Sequence, residues 1–162
     1  NMTKKHASNT LKLSALALAV SNALLVAPVD AATITVDNVG CKLIDAIVSA
    51  NADDNAGVPG CVSGNGADTI ELNADVELNA LHSDYSGLPL IESEVTINGN
   101  NHSISRTGVI DFRIMNIGYG ANVQLNDLTM SNGYTDGYGG AIQVDQATVT
   151  LSNTEILSNG GY

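Results

Sequence analysis

Val95-Thr96-Ile97-Asn98 returns as Val123-Gln124-Leu125-Asn126 and again as Val149-Thr150-Leu151-Ser152, a recurrence with a period of roughly 27 residues. A second set follows each of these in step: Ser103-Ile104-Ser105, then Thr129-Met130-Ser131-Asn132-Gly133, then Ile156-Leu157-Ser158-Asn159-Gly160. Its serines, Ser105, Ser131 and Ser158, keep nearly the same interval. A third apolar stretch closes the circuit, over 112–117 in one repeat and 141–144 in the next. Three short strands in each period, joined by Asn, Gly and Asp corners, are what one turn of a parallel β-solenoid requires. Each strand then stacks on its equivalent about 4.8 Å away. Val95, Val123 and Val149 form one inward ladder, and Ile97, Leu125 and Leu151 another. Asn132 and Asn159 read as structural, because asparagine tolerates left-handed corners and its amide can bond the adjoining turn. An antiparallel sandwich is the competing all-β arrangement, and Asn98-Gly99 and Asn132-Gly133 would suit its hairpins. Its turn signals, however, recur about every 8 to 12 residues, and it has no reason to repeat a sequence at the longer interval. The expected fold is therefore all-β, a parallel β-helix of about 27 residues per turn.

Upstream of these coils the pattern changes. Residues 33–37 read Thr-Ile-Thr-Val-Asp, the alternation of a half-buried strand. In the stretch from Cys41 to Asn51, Leu43, Ile47 and Ala50 recur at i, i+4 and i+7, with Ile44 and Val48 extending that face and Asn51 ending it. This is the one convincing helix after residue 31. Residues 53–66, rich in Asp, Asn, Gly and Pro, form a loop. Cys41 and Cys61 are the only cysteines. In an oxidising compartment a pair this close forms one disulfide, whereas His82 and His102 lie too far along the chain to complete a metal-ligand set.

The compartment is suggested by residues 1–31. Lys4, Lys5 and Lys12 precede a 14-residue apolar run over 13–26, and Ala27-Pro28-Val29-Asp30-Ala31 supplies small residues for a cut after Ala31. Such a leader fits export, and its apolar run falls short of the roughly 20 residues of a transmembrane helix. The remainder, with 16 acidic residues against Lys42, Arg106 and Arg113, is near −13, compared with −11 for the whole chain. That charge opposes binding to nucleic acid or anionic lipid and suits cations or a basic partner. The expected organisation is a signal peptide over 1–31, an N-terminal cap over 32–67 and β-helix coils over 68–162. No closing cap follows residue 162, so the chain is expected to be the N-terminal piece of a longer protein.

The cap carries a specific resemblance. Cys41-Lys42-Leu43-Ile44-Asp45-Ala46-Ile47, then Ala50-Asn51, a second cysteine and Gly66-Ala67-Asp68-Thr69-Ile70-Glu71-Leu72, resemble the N-terminal module of CSLREA-domain proteins. Of the family's Cys-Ser-Leu-Arg-Glu-Ala string, Cys41, Leu43 and Ala46 are unchanged; Lys42, Ile44 and Asp45 replace Ser, Arg and Glu. Leu88-Pro89-Leu90-Ile91 and Val95-Thr96-Ile97-Asn98-Gly99 extend the likeness across residues 34–162. The resemblance implies a right-handed parallel β-helix on a large exported bacterial protein, with the helix as its cap through Leu43, Ala46, Ile47 and Ala50. Gly139-Gly140-Ala141-Ile142 followed by Ile156-Leu157-Ser158-Asn159 is also similar to the repeats of polymorphic outer-membrane proteins, surface adhesins of autotransporter type.

Chemistry is sparser than architecture. A β-helix lyase needs carboxylates for calcium and a Lys or Arg base. Lys42 falls on the cap helix, away from any groove on the coils. Asp111 and Arg113 are two apart and could share a strand face, with Asp127, Asp136 and Asp145 on the following turn, but nothing in the sequence joins them. A hydrolase would need two carboxylates about 5 to 10 Å apart. Gly64-x-Gly66 lacks the third glycine of a dinucleotide fingerprint, and Ala56 and Val62 occupy the Gly and Glu positions of a calcium loop begun by Asn51-Ala52-Asp53-Asp54-Asn55. No catalytic or metal-binding residue is therefore nominated, and no cofactor beyond a conceivable calcium ion. Tyr119, Tyr134 and Tyr138, each beside glycine, either offer a sugar or protein contact or cover the strand edge. Two expectations of different class remain. One is a secreted or cell-surface adhesion and scaffold protein that meets a surface protein or polysaccharide of a host or neighbouring cell. The other is a polysaccharide lyase or hydrolase with its groove on later coils.

Overall fold

The computed structural model describes residues 30–53 and 58–161. Most of the expected leader therefore lies outside the described residues, as do Asp54, Asn55 and Ala56 of the calcium-like run. Among the described residues no helix is long and apolar enough to cross a membrane. The protein is a parallel β-solenoid preceded by a strand and a capping helix, as the recurring period predicts.

Strand β1 (Thr33–Val36) buries Ile34 and Val36 and turns its threonines outward. After it, the Asp37 carboxylate accepts hydrogen bonds from the backbone amides of Val39, Gly40 and Cys41 at 2.8 to 3.1 Å. These bonds hold its pKa below the ordinary 3.8. Helix α1 (Leu43–Ala52) buries Leu43, Ala46, Ile47, Ser49 and Ala50 against β1 and the next strand. Val48 turns outward, contrary to the expected face. Asn51 does not end the helix; Asp53 does, in the left-handed conformation with φ 51°. Asn51 instead reaches the coils, its amide donating to the Leu90 carbonyl at 2.7 Å and its carbonyl oxygen accepting from Glu92 N and Ser93 Oγ. A disulfide joins Cys41 to Cys61, with Cα atoms 4.7 Å apart, and fastens the loop to the helix start.

The coils follow as β2 (Asp68–Leu72), β3 (Val76–Leu78), β4 (Glu94–Asn98), β5 (Ser103–Arg106), β6 (Met115–Ile117), β7 (Asn122–Asn126), β8 (Thr129–Ser131), β9 (Tyr134–Thr135), β10 (Ile142–Val144), β11 (Thr148–Ser152), β12 (Glu155–Leu157) and β13 (Gly160–Gly161). They stack as β1-β2-β4-β7-β11 on one side, β3-β5-β8-β12 on the second and β6-β10 on the third, with β9-β13 at a corner. Every one of these strand pairings is parallel. In the largest sheet Ile34, Ile70, Ile97, Leu125 and Leu151 stand in register, and Val95, Val123 and Val149 form the neighbouring column. The position of that column on β2 holds a buried carboxylate, Asp68. Its Oδ1 accepts from the amides of Ala32 and Asn65 at 2.9 and 2.8 Å, tying β1 and the disulfide loop to the first coil. On the outer face the Asn98 amide donates to Glu71 and that of Asn126 to Asn98, at 2.7 and 3.1 Å, bonding turn to turn.

The second sheet corrects the serine alignment. Ser105 pairs with Ser131, but Ser131 pairs with Leu157, and Ser158 falls one position beyond at φ 54°. The reason is that the structural repeat is one position shorter here than the interval between the two serines, so that Met130 stacks on Ile156. Asn132 and Asn159 are consequently not equivalent. Asn132 takes the left-handed corner, φ 63°, that Ser158 takes a turn later. Asn159 bonds across turns, accepting from Gly133 N at 2.7 Å and donating to the Met130 carbonyl at 3.0 Å. The Gly139-Gly140 pair meets a close approach: Gly139 lies at φ 64°, and a Cβ on Gly140 would collide with the Gly160 backbone.

Candidate functional site

The three cationic side chains of the described residues occupy different settings. Lys42, the residue preceding helix α1, borders a groove of about 430 Å³ between the helix and β3, opposite Asp75 and Glu77. It is therefore not remote from every groove, because β3 turns along the helix start. Asp75 itself accepts from Ser103 N at 2.8 Å and faces His102 at 3.4 Å; the backbone bond, then the Ser103 side chain and His102, hold its pKa low against a modest burial effect. Arg106 is a structural tie. Its Nε donates to the Asn132 carbonyl at 2.7 Å, and its Nη1 to the Gly108 and Ile110 carbonyls at 3.0 and 2.9 Å. The Asp111 carboxylate lies 3.5 Å from that Nη1, and the guanidinium lies 5.8 Å from the centre of the buried Phe112 ring.

Arg113 is different. It stands just before β6, where its N donates to the Tyr85 carbonyl at 2.8 Å and its carbonyl accepts from Gly87 N at 2.8 Å. The residue is only 6% exposed. Its Nη1 donates to Asn116 Oδ1 at 2.9 Å, and the Asn116 amide donates onward to the Asp84 carbonyl at 3.2 Å. Nε is buried with no hydrogen-bond partner. No carboxylate among the described residues lies within 4.0 Å of the guanidinium, and burial lowers its pKa below the ordinary arginine value. An arginine nonetheless remains a cation at neutral pH. A buried cation with an unused donor is costly unless a partner meets it.

The guanidinium borders a cavity of about 380 Å³ lined by Tyr85, Asp111, Arg113, Thr135, Asp136 and Gly137. Thr135 is buried on β9, its hydroxyl oxygen accepting from Gly137 N at 3.2 Å. Tyr85 is 69% exposed and follows Asp84 in a turn where both residues are left-handed, at φ 61° and 43°. Mutual backbone bonds between Ser83 and Ser86 close that turn. For residues other than glycine this conformation costs about 1–2 kcal/mol each. Beside it, across the Arg113–Asn116 bond, lies a second cavity of about 360 Å³ bordered by Asp84, Glu92, Asn116, Tyr119, Gln143 and Asp145.

The acids named from the sequence thus part company. Asp111 and Asp136 share the Arg113 cavity, although Asp111 pairs with Arg106. Asp145 borders the neighbouring cavity, and Asp127 sits at another corner, accepting from the Asn153 amide at 3.1 Å. Among the described residues no three His, Cys, Asp or Glu side chains converge as a metal-holding group. Of the tyrosines, Tyr119 and Tyr138 are strongly exposed, whereas Tyr134 is half-buried with its ring beneath Gly160. Tyr85, Asn116 and Thr135 escaped the sequence reading. Ser86 stands one period ahead of Arg113, with which it forms a parallel bridge, and that spacing was the available signal for the Tyr85 turn. The chain matches no family model, no curated protein and no solved structure.

Proposed function

We propose that this is an exported bacterial protein whose β-helix serves as an adhesion and scaffold module at the cell surface or in the medium, and that its cap is related to the CSLREA-domain family. The observation that carries the reading is the surface around Arg113. Tyr85 and Tyr119 border its two adjoining cavities, and Tyr138 follows Gly137 at the rim, all three largely exposed. Exposed tyrosines on a stiff support offer large, amphipathic contact area at low conformational cost, a trait of recognition surfaces. The disulfide and the leader-like residues 1–31 support export, since such bridges persist in oxidising compartments.

The cavity itself favours a second reading, a polysaccharide lyase or hydrolase, because it places Asp111 and Asp136 beside an arginine. A lyase would have to draw its base from this arginine, whereas recognition uses the guanidinium as the charged hydrogen-bond donor it is at neutral pH, which makes recognition the better use of Arg113. Labelled protein should be retained on fixed bacterial or mammalian cells. The same protein incubated with polygalacturonate and calcium should give no unsaturated-product absorbance. A clear absorbance rise would overturn the adhesion reading in favour of the enzyme.

A further inference from the structure

The Arg113 cavity combines complementary polar groups. Arg113 supplies a buried guanidinium whose Nη1 bonds Asn116 and whose Nη2 lies beside Gly137 of the cavity lining. Asp136 is an exposed acceptor with no cation within 4.0 Å among the described residues. Asp111 adds a second carboxylate, Thr135 a hydroxyl and Tyr85 an aromatic ring at the rim. A simple anion would satisfy Arg113 but would meet two carboxylates in a chain of formal net charge −11. A cation would satisfy Asp136 and face a guanidinium. A sugar ring has neither defect: its hydroxyl oxygens accept from the arginine, its hydroxyl hydrogens go to the carboxylates, and its apolar face suits a tyrosine.

We propose that this cavity binds one ring of an uncharged saccharide, with Arg113 and Asp136 reading adjacent hydroxyls and Tyr85 covering the ring. The inference rests on the adhesion reading and names the chemistry of its partner. It gives the left-handed Tyr85 turn a purpose, since the Arg113–Asn116–Asp84 hydrogen-bond chain holds that turn beside the cavity.

The test is an array of neutral gluco-, galacto- and manno-oligosaccharides beside oligogalacturonates and sialylated glycans, probed with the full chain. Retention on at least one neutral glycan is expected, little changed by about 0.5 M salt, where the Debye length is only a few Å. Asp136→Ala and Tyr85→Gly should each weaken it at least about tenfold, the change produced by a lost contact of about 1.4 kcal/mol. Both variants should keep the parent melting temperature, because Asp136 is exposed and glycine suits the φ of 61° at Tyr85. Retention on acidic glycans alone, on none, or unchanged in both variants would overturn the proposal. On the cells of the adhesion assay, periodate, which cleaves vicinal diols, should abolish retention. Retention that survives periodate sinks the saccharide and leaves adhesion standing, whereas no retention on untreated cells sinks adhesion itself.

Discussion

Leu125 and Leu151 occupy the same position on consecutive turns, yet the first is 0% exposed and the second 46%. Met130 and Ile156 repeat the contrast, at 0% and 44%. The inner turns have a neighbour on each side, and at the first of them helix α1 covers the open end with Leu43, Ala46, Ile47 and Ala50. Among the described residues the last turn has a neighbour on one side only. Equivalent side chains in identical register therefore differ in burial because a solenoid's core is assembled from nearest-neighbour interfaces. Burial here belongs to the stack and not to the strand.

The sharpest way to break that comparison is paired truncation. Ile97→Ala should cost about 4 kcal/mol in denaturant unfolding, as expected for an enclosed aliphatic side chain, and Leu151→Ala less than about 1 kcal/mol. Equal costs would mean that the last turn is as enclosed as the others. Next in size is the cap's covalent tie. Cys41→Ser with Cys61→Ser should lower stability by about 3 kcal/mol, by loop-closure arithmetic over the 20-residue separation. Hydrogen exchange should then rise first in α1 and β1, leaving β7 and β8 protected; uniform exchange would contradict a cap that opens separately.

Two smaller effects sharpen the picture. Asn159→Ala should cost about 1 kcal/mol through its bonds to the preceding turn, whereas Asn132→Gly should be nearly neutral, because glycine accepts its φ of 63°. Similar losses in thermal unfolding would restore the equivalence of the two asparagines. The smallest effect is electrostatic and sits at the capped end. Asp37 has a depressed pKa, so its contribution is present above the unfolded value near 3.8 and is lost as pH falls through the lower folded value. Asp37→Asn should flatten the stability profile below about pH 4. An unchanged acid slope by circular dichroism would show that the Asp37 turn contributes nothing to the cap.

The solenoid was legible because its signal is repeated: Val95, Val123 and Val149 announce a period, and parallel stacking requires one. The helix was legible through Leu43, Ile47 and Ala50, but its end was not. Asn51 resembles a helix terminator locally, yet its amide is engaged by Leu90 and Glu92, partners that lie far along the chain on the coils. The serine ladder failed for a related reason. Ser131 and Ser158 match by residue type, whereas the backbone register follows Met130 and Ile156, whose larger apolar side chains set the stacking. The cavity was half visible: Asp111, Arg113 and Asp136 stood out as charges, but Tyr85 and Thr135 reach the arginine only through the coiling of neighbouring turns.

Period, residue type and the spacing of apolar positions are properties of the chain, so the sequence alone determined that this protein winds into a parallel β-solenoid behind a helical cap. Whether a given position is enclosed depends on what lies a turn above and below. Only the tertiary structure could therefore distinguish Leu125 from Leu151, or separate Arg106, spent on backbone carbonyls and Asp111, from Arg113, buried beside a cavity with a donor unmet. The physical reason is the same in both cases. Desolvation is set by the surroundings in space, and in a stacked coil those surroundings come from residues a full turn away.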